Sequence, residues 1–262
     1  MKQWLIETIA ADKKDISDRE KRIGQLSKAF MLDIEESILD RIDRITEGDT
    51  FIDQSTNNRL ELDRIVQDAE SSMRMEFDIL LSGTLATIIT RARNANNIYG
   101  NRKRFNFDPV QTVQRRIAQL ENDLRNAARD AVDRIGGYIE EVKQSRTRKS
   151  VLRRNLSRGA GIVESFTRIT GENTLFEVDR MIRDEQMNRS DLELMLYVGP
   201  DDSVTRDWCQ DHVNKTASRE YWNTAENDVG PQPPLIFGGG YNCRHRLLGV
   251  DPEWIEGVEI IG

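Results

Sequence analysis

The chain has 262 residues, of which 32% are charged and 6% are aromatic, and its formal net charge at pH 7 is −7. A mean hydropathy of −0.62 is too polar for a single large globular core, but Leu, Ile, Val and Met recur at helical spacing, which excludes a disordered chain. No run of apolar residues is long enough for a membrane span, and two cysteines are too few for a disulfide framework.

Charge is distributed unevenly along the chain. Residues 79–158 carry 17 basic and 7 acidic side chains, whereas residues 1–78 and 159–262 have net charges of −7 and −10. We therefore expect a polarised surface with a basic middle region and acidic flanks.

Two amphipathic stripes predict long helices in the first third of the chain. Apolar residues between Ile16 and Ile45 step by three, four or seven, which predicts a helix of about eight turns. The sequence 48–50, Gly-Asp-Thr, should end it. A second stripe runs from Leu62 to Ile89 and contains Gly83, which predicts a kink or tight packing at that point.

A third long helix should begin after a loop over residues 94–109. Asp108 and Pro109 are a favourable N-cap and first helical residue. The apolar stripe then continues to Val142, with a bend expected at Gly136 and Gly137. Three shorter helices are predicted beyond it, over residues 150–157, 161–170 and 174–187.

The pattern changes near residue 190. Residues 192–198 form a compact apolar run closed by Gly199 and Pro200, which favours a strand. Turns, aromatics, prolines and the glycine run 238–240 follow. The prediction is a mainly α protein, with long amphipathic helices in a hairpin, bundle or coiled coil, followed by a small C-terminal α+β domain. The predicted regions are a long-helix region at 1–150, a connector of short helices at 151–190, and the small domain at 191–262.

Both cysteines and both histidines of the chain lie in this last region. They are Cys209, His212, Cys243 and His245. Two thiolates and two imidazoles are the ligand types of a tetrahedral structural zinc site. A loop after the first strand would present Cys209 and His212, and a strand over residues 241–248 would turn Cys243 and His245 to the same side. Alternatively, the four side chains pack together without metal, or the two cysteines pair under oxidising conditions.

The residues around this cluster resemble a known motif. Residues 197–209 read YVGPDDSVTRDWC, and residues 239–246 read GGYNCRHR. These two segments are similar in sequence to the C-terminal motif of the phage minor head proteins, the Mu F-like head morphogenesis family. The resemblance covers residues 195–250. The chain departs from many relatives, which have Pro before the closing Asn-Cys-Arg, where this sequence has Gly-Gly-Gly-Tyr.

The resemblance implies a virion structural protein, made in the host cytoplasm and present in few copies at the portal vertex of the head. Its expected partners are the portal and other head or neck proteins, and its expected role is head morphogenesis, including DNA packaging or ejection, without enzymatic activity. The polar motif residues Asp201, Thr205 and Arg206 are predicted to orient the metal ligands. The alternative for these three is ordinary turn chemistry.

Basic side chains concentrate before and within the predicted short helices. The strongest run comprises Arg146, Arg148, Lys149, Arg153, Arg154 and Arg158. Phosphate contacts need only positive charge and reach, so this run could contact genomic DNA. A solvated helix face and an acidic protein partner are the alternatives.

Two other classes of function compete with the minor head protein. One is a zinc-dependent hydrolase or nuclease, in which Asp207 or Asp211 would act as general base beside a metal-bound water. The other is a DNA-binding module in which zinc only staples the fold.

Overall fold

Four long helices make up most of the chain. The computed structural model describes residues 1–44, 56–100, 102–144, 148–227, 230, 232–240 and 243–262. The long helices are α1 (Gln3–Arg44), α2 (Thr56–Asn96), α3 (Pro109–Gln144) and α4 (Lys149–Asn188). Within these ranges no helix carries an apolar stretch long enough to cross a membrane.

Short elements follow the long helices. They are β1 (Leu194–Val198), α5 (Asp207–His212), β2 (Thr216–Ser218), α6 (Arg219–Thr224), α7 (Pro234–Phe237), β3 (Arg246–Val250) and a final 3-10 turn (Pro252–Trp254). The predicted fold class, mainly α with a small C-terminal α+β part, is confirmed.

Helix boundaries agree with the sequence in some places and differ in others. The backbone N–H of Val110 donates to Asp108 Oδ1 at 2.9 Å, so Asp108 caps α3 as predicted. The predicted break at residues 48–50 lies outside the described residues. The three short helices predicted after residue 150 are instead one helix, α4, of 40 residues. Isolated glycines in that segment each cost only about 1 kcal/mol, and no proline interrupts it.

The chain folds into two compact units that do not follow the predicted boundaries. The first unit consists of residues 1–22, 86–118 and 171–262, and the second of residues 23–85 and 119–170. Each of the four long helices therefore contributes residues to both units. The predicted division at residues 150 and 190 overlooked this, because it assumed that units are continuous in sequence.

The second unit is helical and buries the apolar stripes predicted for α1, α2 and α3. Its fully or nearly fully buried residues include Ile23, Phe30, Phe77, Leu80, Leu81, Leu120 and Leu124. A Cβ added at Gly83 would lie only 2.9 Å from Leu26 Cδ1. Of the two predicted explanations for Gly83, close packing against Leu26 is the one that this distance favours.

The first unit is organised around a three-stranded antiparallel sheet with the order β2-β1-β3. Successive residues of β1 point to opposite faces. Leu196 and Val198 pack with Leu5, Ile9 and Tyr99 on one face, while Met195 and Tyr197 pack with Trp208 and Trp222 on the other. Burial of both faces explains why the strand reads as a continuous apolar run.

Candidate metal centre

Three short segments bring a cysteine and histidine cluster onto one face of the sheet. Cys209 lies on α5, which is a helix where the sequence predicted a loop. Cys243 and His245 lie in the extended segment just before β3, which begins at Arg246 and not at the predicted residue 241. Tyr197 of the central strand β1 reaches the cluster from the sheet.

The cluster is compact and closed to solvent. Ligand atoms of Cys209, Cys243 and His245 all lie within 4.8 Å of one another, and all three residues are buried. The two Sγ atoms are 3.8 Å apart, and Cys243 Sγ lies 3.7 Å from His245 Nδ1. His245 Nε2 is also buried and has no hydrogen-bond partner among the described residues. Such a group of soft ligands is compatible with metal binding.

The spacing agrees with tetrahedral zinc coordination. Bonds of about 2.3 Å to sulfur and 2.0–2.1 Å to nitrogen place two sulfur ligands about 3.8 Å apart, and a sulfur and a nitrogen ligand about 3.6 Å apart. The observed separations of 3.8 and 3.7 Å are close to these values. A disulfide would instead require the two sulfurs to approach to about 2.05 Å.

The two thiols differ in their hydrogen bonds. The backbone N–H groups of Gly239 and His245 point to Cys243 Sγ at 3.1 and 3.4 Å. A hydrogen bond from Cys209 is the main influence that lowers the pKa of Cys243 well below its ordinary value; burial opposes it, and His245, Arg180 and Tyr197 assist it. The same bond, with burial and the charge of Cys243, raises the pKa of Cys209. The two backbone N–H groups near Cys243 Sγ also favour negative charge on that sulfur.

Glycines allow the backbone to approach the cluster. A Cβ on Gly239 would lie 2.2 Å from Cys209 Sγ, and a Cβ on Gly238 would lie 2.7 Å from Cys243 Sγ. Gly238 also has a φ of +57°, a conformation that L residues rarely adopt. On the opposite side, a Cβ on Gly199 would lie 2.1 Å from His245 Cδ2. The glycine-rich sequence is therefore part of the site.

The structure does not bring His212, the fourth predicted ligand, into this cluster. Its Nδ1 lies 2.7 Å from the carbonyl oxygen of Trp208, and its Nε2 lies 3.3 Å from the hydroxyl of Tyr221. Its ring stacks on Trp208 at 4.0 Å. The predicted set of four ligands is therefore corrected to three. Three helical positions separate Cys209 from His212, and each side chain has its own set of partners.

The predicted supporting residues have separate roles. The Thr205 hydroxyl donates to the carbonyl of Pro200 at 3.1 Å and also bonds the Asp202 carboxylate at 3.0 Å. Asp202, not Asp201, also pairs with Arg244 at 2.7 Å, and the side-chain hydrogen bond from Arg244 lowers the pKa of Asp202 to about 2. Asp201 is exposed. Counting three residues back from Thr205 in the sequence would have identified Asp202.

Arg206 is directed toward the glycine run. Its guanidinium donates to the Gly239 carbonyl at 3.2 Å, beside the cysteine cluster. The Gly239 amide itself donates to Cys243 Sγ, so Arg206 contacts a neighbour of the cluster, and its supporting role stays a prediction.

Two important residues were missed by sequence reasoning. The Arg180 guanidinium, from α4, donates to the carbonyls of His245 at 2.7 Å, Cys243 at 3.2 Å, and also Ile236. The hydroxyl of Tyr197 lies 3.5 Å from Cys209 Sγ and 3.4 Å from Cys243 Sγ. Arg180 is one of many arginines in a helical segment, and Tyr197 lies in an apolar run, so neither carried a distinguishing signal.

A buried ion cluster adjoins the segment that carries His245. Arg246 Nε pairs with Asp12 Oδ2 at 2.8 Å, and the other carboxylate oxygen of Asp12 pairs with Arg91 at 2.7 Å and Arg183 at 3.1 Å. Asp179 lies 2.5 Å from the Arg91 guanidinium. Burial alone would raise the pKa of Asp12, but Arg246, Arg183 and Arg91 hold it below its ordinary value. This cluster joins α1, α2, α4 and β3 within the first unit.

The other predicted site residues lie at the surface or outside the described chain. Arg148, Arg153, Arg154 and Arg158 are exposed, Lys149 is half-buried, and Arg146 lies outside the described residues. The two candidate general bases, Asp207 and Asp211, are exposed on α5. Among the described residues, the group of candidate metal ligands contains cysteines and a histidine and no carboxylate.

Comparisons with known proteins add no relative. No protein-family model, no curated protein and no solved structure matches this chain.

Proposed function

We propose that this chain is a structural protein of a phage head, a minor head protein near the portal vertex, whose C-terminal region is stapled by zinc. The main support for the proposal is that the two halves of the motif, the segment that ends at Cys209 and the segment that contains Cys243 and His245, lie together. Cys209 from one half and Cys243 and His245 from the other lie within 4.8 Å in a buried cluster. Arg206, a residue of the first half that is not a ligand, donates to the Gly239 carbonyl beside the same site.

The geometry supports a structural ion in preference to a catalytic one. The exposed fractions of Cys209, Cys243 and His245 are only 2%, 3% and 2%. A metal that activates water needs an open coordination position and a base within reach. The candidate bases Asp207 and Asp211 are exposed while the cluster is buried. A structural ion would instead fix the segment between α5 and β3, whose described elements β2, α6 and α7 are all short.

Zinc content tests the metal component. Protein purified without metal-affinity steps should contain about one zinc per chain by elemental analysis. We expect His245→Ala to lose zinc and His212→Ala to retain it, because only His245 lies in the ligand cluster. Zinc content near zero in the wild-type protein, or loss of zinc from His212→Ala alone, would reject this site.

The location of the protein tests the head component. In particles assembled with the full chain, immunogold labelling should mark a single vertex of the head, in few copies. Labelling that is spread over the shell, or protein that is absent from purified particles while abundant in lysates, would reject the minor head role. Zinc binding could stand in that case, because the two experiments are independent.

A further inference from the structure

The hydroxyl of Tyr197 occupies a special position in the cysteine cluster. It lies almost equally far from the two sulfurs, 3.5 Å from Cys209 Sγ and 3.4 Å from Cys243 Sγ. The residue is fully buried at the centre of the sheet. Its ring is held between the rings of Trp222, at 5.3 Å, and His245, at 5.1 Å and nearly parallel. The oxygen therefore has little freedom to leave the cluster.

These distances are compatible with a coordinating oxygen. An oxygen ligand at about 2.0 Å from a tetrahedral zinc ion lies about 3.5 Å from each sulfur ligand of the same ion. The observed separations of 3.4 and 3.5 Å agree with that edge length. The three protein ligands already identified leave one position of the tetrahedron to be filled.

We propose that the phenolate oxygen of Tyr197 is the fourth ligand of the metal, in the place that the sequence assigned to His212. This inference rests on the proposed metal centre. The hydroxyl and the two sulfurs lie within hydrogen-bonding distance of one another. A divalent cation between these atoms would take the place of the hydroxyl proton, because coordination favours the anionic form of each ligand.

Burial disfavours water as the fourth ligand. Cys209, Cys243, His245 and Tyr197 are at most 3% exposed, and the Gly239 backbone comes so close that an added Cβ would lie 2.2 Å from Cys209 Sγ. Coordination by Tyr197 closes the shell, which gives the ion a structural role.

Cobalt titration of the metal-free full-length protein tests this ligand. The ultraviolet difference spectrum should show one tyrosine ionised for each Co²⁺ bound, and the visible spectrum should be that of four-coordinate cobalt. In Tyr197→Phe the phenolate signal should vanish, and affinity for Co²⁺ should fall by at least about tenfold. Tyr221→Phe is the matched control, because the Tyr221 hydroxyl contacts His212 and not the sulfurs. It should behave as the wild-type protein does.

The possible failures are distinguishable. Stoichiometric cobalt binding by the wild-type protein without tyrosine ionisation would overturn the Tyr197 assignment and leave the metal centre standing. Absence of cobalt binding would overturn both proposals. The ionisation signal is measured on the wild-type protein, so the result does not depend on whether Tyr197→Phe folds.

Discussion

Single glycines determine how closely the backbone approaches the sulfur cluster. Gly239 is the tightest case on the cysteine side, since an added Cβ would lie 2.2 Å from Cys209 Sγ. No side-chain rotation of the new residue could relieve that contact, because a Cβ position is fixed by the backbone. The glycine run therefore restricts the sequence at this site as strongly as the ligands do.

Gly239→Ala should weaken metal binding and destabilise the first unit. Overpacking of a buried site costs about 1–3 kcal/mol, and here the displaced atom is a metal ligand. Gly230→Ala is the control, because a Cβ there meets no atom of the described residues within 4 Å. Zinc competition with a chromophoric chelator and urea denaturation would measure both effects. Equal behaviour of the two variants would contradict the packing argument.

The site could be predicted in part from residue types. The sequence identified Cys209, Cys243 and His245, because soft ligands are rare and stand out. It could not exclude His212, whose ring is engaged by Trp208 and Tyr221 through contacts that depend on the tertiary fold. Tyr197 was missed for the opposite reason, since an aromatic residue in an apolar strand looks like ordinary core.

At the scale of elements, Arg180 links α4 to the segment that carries Cys243 and His245. One guanidinium satisfies the carbonyls of both residues and that of Ile236. The carbonyls of Cys243 and His245 lie in irregular backbone, where no described neighbouring strand donates hydrogen bonds to them. The Arg180 side chain therefore supplies the hydrogen bonds that a neighbouring strand would otherwise donate.

Arg180→Lys should loosen this segment. An ammonium group cannot reproduce the fixed fork of a guanidinium, and each carbonyl left unsatisfied costs about 1–3 kcal/mol. Zinc affinity should fall about 10–100-fold, as for other outer partners of metal ligands. Arg168→Lys, on the same helix but in an ion pair that is partly exposed, should leave zinc affinity unchanged. Unchanged affinity in Arg180→Lys would show that the bonds to the carbonyls do not position the ligands.

The buried ion cluster around Asp12 gives a second prediction about elements, this time with a pH dependence. Asp12→Asn should cost about 3–5 kcal/mol at neutral pH, because it removes one of the two buried carboxylates that neutralise Arg91, Arg183 and Arg246. The pKa of Asp12 is lowered in the folded protein, so this stability is present above the unfolded pKa of about 3.9 and is lost as pH falls through the folded value. The difference between wild type and variant should therefore shrink on acidification.

Urea unfolding between pH 7 and pH 3 would measure this difference. Asp15→Asn serves as the control, because Asp15 pairs with the same Arg91 but its side chain is 25% exposed. Its cost should be less than about 1 kcal/mol. If the difference in unfolding free energy between wild type and Asp12→Asn increased as the pH fell, the lowered pKa assigned to Asp12 would be wrong.

The elements themselves were predicted unevenly. The presence of α1, α2, α3 and β1 follows from apolar periodicity and from local caps such as Asp108, but α1 begins at Gln3, well before the predicted stripe that starts at Ile16. The continuity of α4 was missed, because glycines mark a break only when no tertiary packing supports the helix. The start of β3 was placed too early, since an extended segment without ladder partners has the same residue alternation as a strand.

At the scale of the whole molecule, the basic middle region distinguishes the chain from a uniformly acidic protein. Arg153, Arg154 and Arg158 are exposed on α4. Direct contact with DNA is a hypothesis for this surface, and a solvated helix face and an acidic protein partner are the alternatives.

Salt dependence tests the DNA hypothesis. If all three arginines contact phosphates, the triple substitution R153Q/R154Q/R158Q should reduce the slope of log affinity against log salt by about 0.9 for each lost contact. A matched variant, K21Q/R22Q/K28Q, removes three exposed cations from α1 and should leave the slope unchanged. Filter binding to duplex DNA of arbitrary sequence would supply the data. Equal slopes for both variants would reject contact between these arginines and DNA phosphates.

The discontinuity of the first unit has a consequence for modularity. A fragment beginning at residue 191 would contain the whole motif and all three strands, yet it would lack Leu5, Ile9 and Tyr99, which cover one face of the sheet. It would also lack Arg180 and the partners of Arg246. The motif region is therefore not an independent folding unit. Transferring it into another protein would also require the parts of all four long helices that belong to the first unit.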